Sequence, residues 1–338
     1  MNFKTTLIFT ALSAMSICSF AQAEAKSAQG LTVYTYKSFS SDWGAGPKVK
    51  QGFEQQYPQC RVNYVSFDSS GVLFNRLRLE GKKTKADIVL GLSNHLLQEA
   101  IKSELFSEHK VDLNRLSLPI SWQDRRFLPY DFGHYAFIYD KTKLVNPPHS
   151  LRELVERQDL RVIYQDPRTS SVGRGLIIWL NLVYPQQEVD RAWQTLAKHT
   201  VTVGKGWTES YGAFLKGEAD LVLSYSTSPL YHLLNEQKDQ YQATDFAEGG
   251  VLQVELAAKI ANKENACGDL FMDYLISPQA QTHIVKNNVM LSVISDPIEP
   301  HYDALKQYQL KTNVFDSSNI SAEQLKKWIN QWQASLVK

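Results

Sequence analysis

The sequence predicts an α/β protein with largely parallel sheets, and three observations carry that expectation. Short strand-like runs alternate with helix-like runs along the chain. Two of the strand-like runs, 127–139 and 251–259, are longer than the others. Four strands end in turns rich in hydroxyl residues or glycine, and each turn opens a helix.

The strand candidates are 31–36, 61–67, 86–92, 127–139, 161–165, 200–203, 219–225 and 251–259. Helical periodicity is clearest over 47–57, 72–80, 151–156, 175–183, 189–198, 210–215, 229–236, 266–276, 278–287 and 322–334. The two long strands admit two readings. They cross between two lobes and form a hinge beside a cleft, or they are long members of one sheet. No repeat, low-complexity segment or long linker divides the chain.

The first residues read as an export signal. Lys4 gives a short positive start, Leu7 to Phe20 is largely apolar, and Ala21-Gln22-Ala23 offers a small-x-small cleavage pattern. The apolar run is shorter than the roughly 20 residues a membrane span needs. Cys18 follows Ile17, a poor match to a lipoprotein signal. Removing residues 1–23 from the 338 leaves 315, enough for two lobes: 24–133, then 134–250, then 251–338 returning to the first lobe with C-terminal helices.

The formal charge is +1, and Lys4 is the only charged residue of the signal, so the rest sums to zero. Without a basic tail or long like-charge run, the electrostatic footprint of a nucleic-acid binder is missing. Cys60 and Cys267 are not spaced as a metal site; export permits a disulfide between them, and two buried free thiols are the alternative. The eight histidines form no His-Glu-x-x-His, and no Gly-x-Ser-x-Gly elbow or phosphate loop of the Gly-Lys-Ser/Thr type is present. Asp131, Glu209 and Glu255 are candidate paired carboxylates, with a solvated or capping role as the plainer expectation.

The four turns are Lys37 to Gly46 before Pro47, Asp68-Ser69-Ser70-Gly71, Asp166 to Gly173, and Ser226-Thr227-Ser228 before Pro229. Each leaves backbone N–H groups at the positive end of a helix dipole, on the sheet edge where open α/β folds bind ligands. Taken singly, Ser, Thr and Asp there are ordinary caps. Taken together, with Tyr36, Trp43, Trp207, Tyr225 and Tyr231 nearby, they suggest a cleft for a flat or cationic molecule with an acidic tail. A nucleotide fits that description as well.

At these segments the chain resembles the thiamine-binding periplasmic proteins of bacterial ABC transporters. The blocks are Leu31-Thr-Val-Tyr-Thr-Tyr36, Asp42-Trp-Gly44, Asn75-Arg-Leu-Arg78, Val89-Leu-Gly91, Tyr139-Asp-Lys141, Val162 to Ser170, Lys205-Gly-Trp207, Leu215-Lys-Gly-Glu218 and Asp220 to Tyr225. The resemblance implies a type II periplasmic-binding-protein fold, two α/β lobes joined by a two-strand hinge with the ligand cleft between them. It implies a carrier of thiamine, its monophosphate or its diphosphate that serves inner-membrane permease subunits, is a monomer, needs no cofactor and does no chemistry. By resemblance, Tyr36, Trp43 and Tyr231 pack around the ligand's rings, while Ser170, Ser171 and Trp207 hold the phosphate end. The turn Tyr225-Ser226-Thr227-Ser228 with Pro229 closes from the second lobe. Two departures stand out. The family's Glu-Asp-Gly becomes Asp68-Ser69-Ser70-Gly71, which offers Ser69 and Ser70 to the phosphate. The family's Asn-Trp-Met-Tyr-Pro becomes Asn288-Val-Met-Leu-Ser292, so an enclosing ring is absent.

Alternatives within the fold are a carrier of iron(III) or a polyamine. A thiamine-degrading enzyme would need an activated cysteine in the cleft, and neither Cys60 nor Cys267 lies near the turns.

Overall fold

A computed structural model describes residues 28–295 and 314–337. The predicted signal, residues 1–23, lies outside the described residues. The first lobe opens with β1 (Gln29–Tyr36), α1 (Lys37–Ser40), α2 (Gly46–Gln56), β2 (Cys60–Phe67), α3 (Ser70–Glu80), β3 (Ile88–Ser93), α4 (Leu97–Lys102) and β4 (Phe106–Ser107). From there β5 (Phe127–Asp140) leads to α5 (Leu151–Glu156), β6 (Val162–Gln165), α6 (Ser171–Val183), α7 (Val189–Ala197), β7 (Thr200–Gly204), α8 (Trp207–Leu215), β8 (Leu221–Tyr225), α9 (Ser228–Glu236) and β9 (Tyr241–Ala243). The chain returns through β10 (Gly250–Ile260) to α10 (Ala266–Leu275) and α11 (Pro278–Asn288), then β11 (Val314–Phe315) and α12 (Ala322–Leu336).

Both long strands cross. Residues 127–134 of β5 pair with β10, and residues 135–140 pair with β8 and β9, so the strand changes lobe between His134 and Tyr135. The ladder runs β2-β1-β3-β10-β5-β8-β6-β7 without interruption. In that sense the one-sheet reading also describes it. The cores are nevertheless separate. Leu31, Phe39, Phe53 and Phe271 belong to one cluster, and Tyr135, Phe137, Trp179 and Trp193 to another. Because β5 and β10 are buried on both faces, they read in sequence as continuous runs rather than alternating ones. Each fully buried ring such as Phe53 or Phe137 stabilises its lobe by about 2–3 kcal/mol.

The return segment divides between the lobes. Helices α10 and α11 pack in the first lobe, but β11 lies alongside β10 and α12 packs on α6 and α7 of the second. Leu325, Trp328, Ile329 and Trp332 form the apolar stripe of α12, and Trp332 Nε1 donates to the Tyr164 hydroxyl at 3.0 Å. Periodicity reveals such a stripe without saying which lobe covers it, so the chain passes between the lobes a third time, beyond the two-strand hinge that the resemblance implied.

Cys60 and Cys267 form a disulfide with Cα atoms 5.8 Å apart. It ties the start of β2 to α10 inside the first lobe.

Candidate ligand-binding cleft

A cavity of about 310 Å³ lies between the lobes. Ten sequence-predicted residues form part of its wall: Tyr36, Trp43, Ser69, Ser70, Ser170, Ser171, Trp207, Tyr225, Ser228 and Tyr231. Ser226, Thr227 and Pro229 are buried behind it, where Ser226 N donates to the His134 carbonyl oxygen at 2.9 Å and supports the turn.

Aromatic rings make up one side. Trp207 stacks on Tyr211 at 4.7 Å and 14°, and Tyr211 stacks on His232 at 5.7 Å and 12°. Trp43 approaches Trp207 from the other lobe, with centroids 6.2 Å apart and planes inclined 44°. Trp43 is 42% exposed, so it has ring surface left to cover a ligand. The Trp207 indole N–H already donates to Ser224 Oγ at 2.7 Å. What Trp207 offers the cavity is therefore its ring rather than the donor the resemblance implied.

Four helices, α3, α6, α8 and α9, begin at this wall. Ser69 caps α3, its Oγ accepting from Val72 N at 3.4 Å, and donates to the Thr169 carbonyl oxygen in the opposite lobe at 2.5 Å. Ser170 caps α6, accepting from Val172 N at 3.2 Å and donating to Gln165 Oε1 at 2.6 Å. Capping and cleft roles thus coexist in one turn. Helix α6 starts four residues before the periodicity suggested, because Gly173 and Gly175 mask it. A Cβ on Gly175 would fall 2.1 Å from the Tyr135 ring. Gly71 has a similar reason at the lobe contact, where a Cβ would fall 2.1 Å from the Thr169 carbonyl oxygen.

The carboxylates divide. Glu209 is a cap, its Oε2 accepting from Lys205 N at 2.8 Å. Asp131 and Glu255 are neither solvated nor caps: both are buried, on adjacent strands of the crossing. Burial pushes both acids above the ordinary carboxylate range, and the charge of Glu255 raises Asp131 further. Burial and the Glu255 charge likewise hold the Tyr36 hydroxyl protonated. Sequence reasoning passed over Tyr211, His232, Glu236 and Asn288, which also line the cavity. One signal points to two of them, the four-residue His232–Glu236 spacing, closed in the structure at 2.9 Å. Burial lowers the His232 pKa against the opposing pull of Glu236. Among the described residues, no lysine or arginine lines the cavity and no metal-binding cluster of His, Cys, Asp and Glu occurs.

Two α/β lobes that share crossing strands around a ring-lined cleft with helix N-termini at its edge define a solute-binding protein. The chain belongs to the family of bacterial extracellular solute-binding proteins, whose model matches residues 31–287. It is 63% identical over 335 residues to the thiamine-binding periplasmic protein of Haemophilus influenzae, covering 99% of each chain. It is 47% identical over 308 residues to that of Escherichia coli, covering 90% of this chain and 93% of the relative. Among solved structures, a periplasmic thiamin binding protein superposes with a TM-score of 0.85 at 44% identity, covering 92% and 97%. Iron-bound HitA from Pseudomonas aeruginosa, at 14% identity and a TM-score of 0.74, shares the fold.

Proposed function

We propose that this chain is the periplasmic binding component of an ABC importer, capturing thiamine, thiamine monophosphate or thiamine diphosphate and presenting it to the permease. The observation that carries this reading is the pairing of Trp43 from one lobe with Trp207 from the other, above opposed helix N-termini at Ser70 and Ser171. Tyr36, Trp43, Trp207 and Tyr231 cover the pyrimidine and thiazolium rings. Ser69, Ser70 and Ser171, with the first N–H groups of α3 and α6, receive the phosphate, and Ser170 holds the α6 turn in place behind them. Tyr225 and Ser228 close from the second lobe, with Ser226, Thr227 and Pro229 holding their turn in shape.

Closure selects the ligand: rings and donors from both lobes meet around it, so the closed form is favoured when thiamine occupies the cleft. The protein is a carrier and not an enzyme. It works without a cofactor, as a monomer, and has no nucleic-acid partner. The bond between Cys60 and Cys267 supports this by occupying the thiols that a thiamine-degrading reaction would need.

Calorimetric titration with thiamine and its two phosphates tests the reading. Dissociation constants of about 1 μM or tighter are expected for at least one form. Silence with all three, alongside binding of iron(III) or a polyamine, would transfer the protein to another branch of the family.

A further inference from the structure

Asp131 and Glu255 sit at the centre of the crossing. They face one another in the antiparallel ladder of β5 and β10, so their side chains leave the sheet on one face. Asp131 is fully buried, and Glu255 is 7% exposed where it lines the cavity. Glu255 Oε2 accepts from the hydroxyls of Tyr36 and Tyr130, each at 2.5 Å, and Oε1 accepts from Gln253 Nε2 at 3.1 Å. Asp131 Oδ2 accepts from Asn288 Nδ2 at 2.7 Å. Its Oδ1 is buried without a hydrogen-bond partner among the described residues.

Among the described residues, the surroundings supply no counter-charge. The groups facing the two acids are Tyr36 from β1, Tyr130 and Tyr135 from β5, Gln253 from β10, Tyr225 from β8 and Asn288 from α11. All are neutral. Neither acid forms an ion pair among the described residues. The other titratable side chains on the cavity wall are mainly Asp68, Glu236 and His232, and among the described residues no lysine or arginine joins them. Two carboxylates buried side by side do not both ionise, because repulsion and lost hydration leave one proton shared between them. Hydroxyls and amides share out the negative charge without cancelling it.

We infer that Glu255, backed by Asp131, forms a cation subsite that takes a positively charged aromatic heterocycle in exchange for the proton the two acids share. The inference rests on the thiamine reading, since the thiazolium ring carries a permanent positive charge. No bond to the ligand forms or breaks: a carboxyl O–H gives its proton to the buffer, and the fixed charge of the ring takes that proton's place. A neutral molecule of the same shape leaves the proton where it is. Affinity for the cation therefore rises with pH until the free protein has already lost the shared proton, and levels off above that point.

The test is calorimetry with thiamine in buffers of different ionisation enthalpy, repeated between about pH 5 and pH 8. Wild type should release up to one proton per thiamine bound, seen as a buffer-dependent enthalpy. With Asp131→Asn the second acid is gone, so proton release on thiamine binding should be smaller than in wild type and confined to lower pH. With Glu255→Gln, thiamine should lose about tenfold or more in affinity, while a neutral isostere with benzene in place of the thiazolium ring should be nearly unaffected. The wild-type measurement needs no variant to fold. A thiamine enthalpy independent of buffer at every pH overturns the inference and leaves the thiamine reading standing. No thiamine binding at all overturns both.

Discussion

Ser70 and Ser171 meet hydroxyl to hydroxyl at 2.9 Å across the cleft, each the first residue of its helix and each from a different lobe. An anion held there faces the positive ends of two helix dipoles and needs no cationic side chain to hold it.

The two serines of the second-lobe turn should separate in experiment. Ser170 is committed to Gln165 and to capping α6, so Ser170→Ala should cost about 1 kcal/mol of stability and weaken all ligands alike. Ser171→Ala leaves the cap intact and should cost the phosphates about 1.5–3 kcal/mol more than thiamine, the worth of a hydrogen bond to a charged group. Titration of both variants with the three ligands decides between them. Equal losses for Ser171→Ala would remove it from phosphate binding.

Gly71→Ala tests the close approach of the lobes. The added Cβ meets a backbone oxygen, Thr169 O, and not a side chain that could swing aside. Alanine is the better helix former, so the free protein should melt no earlier. Thiamine affinity should fall about tenfold or more, near 1.4 kcal/mol. An unchanged dissociation constant would show that the ligand is held without this contact.

Trp43→Ala should weaken thiamine binding by about 1–3 kcal/mol, the scale of a desolvated stacking or cation–π contact. Because the ring is 42% exposed, the melting temperature should hardly move. Full affinity in the folded variant would place the ligand elsewhere in the cavity.

Much of this architecture is legible in sequence because continuous apolar runs, strand-to-helix turns and glycines each have local causes. Strand β5 was read to within a residue, at 127–139 against the observed Phe127–Asp140. What escaped depends on partners far away in the chain. The sequence offers Asp131 and Glu255 as candidate paired carboxylates, but only the ladder, across 124 residues, sets one opposite the other and buries both. The lobe covering α12 is decided by Tyr164 and its neighbours, also distant. The resemblance implies that the Trp207 indole holds the phosphate end, whereas in the fold its N–H donates to Ser224 Oγ on β8.

His95 should make folding stability depend on pH. Its ring is buried between the Tyr135 hydroxyl at 3.0 Å and Ser317 Oγ at 2.6 Å, and burial pushes its pKa from 6.5 down to about 3. Between those values the unfolded chain binds a proton that the folded chain refuses, so stability is lost as pH falls through that window. His134, pushed down to about 4, acts in the same direction, whereas the raised acids Asp131 and Glu255 act against it. His95→Gln should flatten the fall in melting temperature between about pH 6.5 and pH 4. An unaltered slope would assign that fall to other groups.

Breaking the disulfide should cost stability and spare the site. Cys60→Ser with Cys267→Ser opens a link across 207 residues and should cost about 2–5 kcal/mol. Neither cysteine lines the cavity, so thiamine affinity at room temperature should be unchanged. A melting temperature indifferent to reduction would show that the first lobe holds together without the link.

The same bond sets an order of assembly. Residues 135–249 of the second lobe lie between Cys60 and Cys267, so the link encircles that stretch of the chain, while α12 joins the lobe from outside it. A chain emerging amino end first presents Cys60 early, then a contiguous run carrying β6 to β9 and α5 to α9. That run has most of what it needs to collapse by itself. The first lobe cannot finish until β10 arrives to fill the place between β3 and β5, and Cys60 waits for a partner until α10 follows. Cys60 is thus the thiol whose partner comes late, and the cleft, which needs both lobes, can form only after Cys267 and the segment to Met290 have followed.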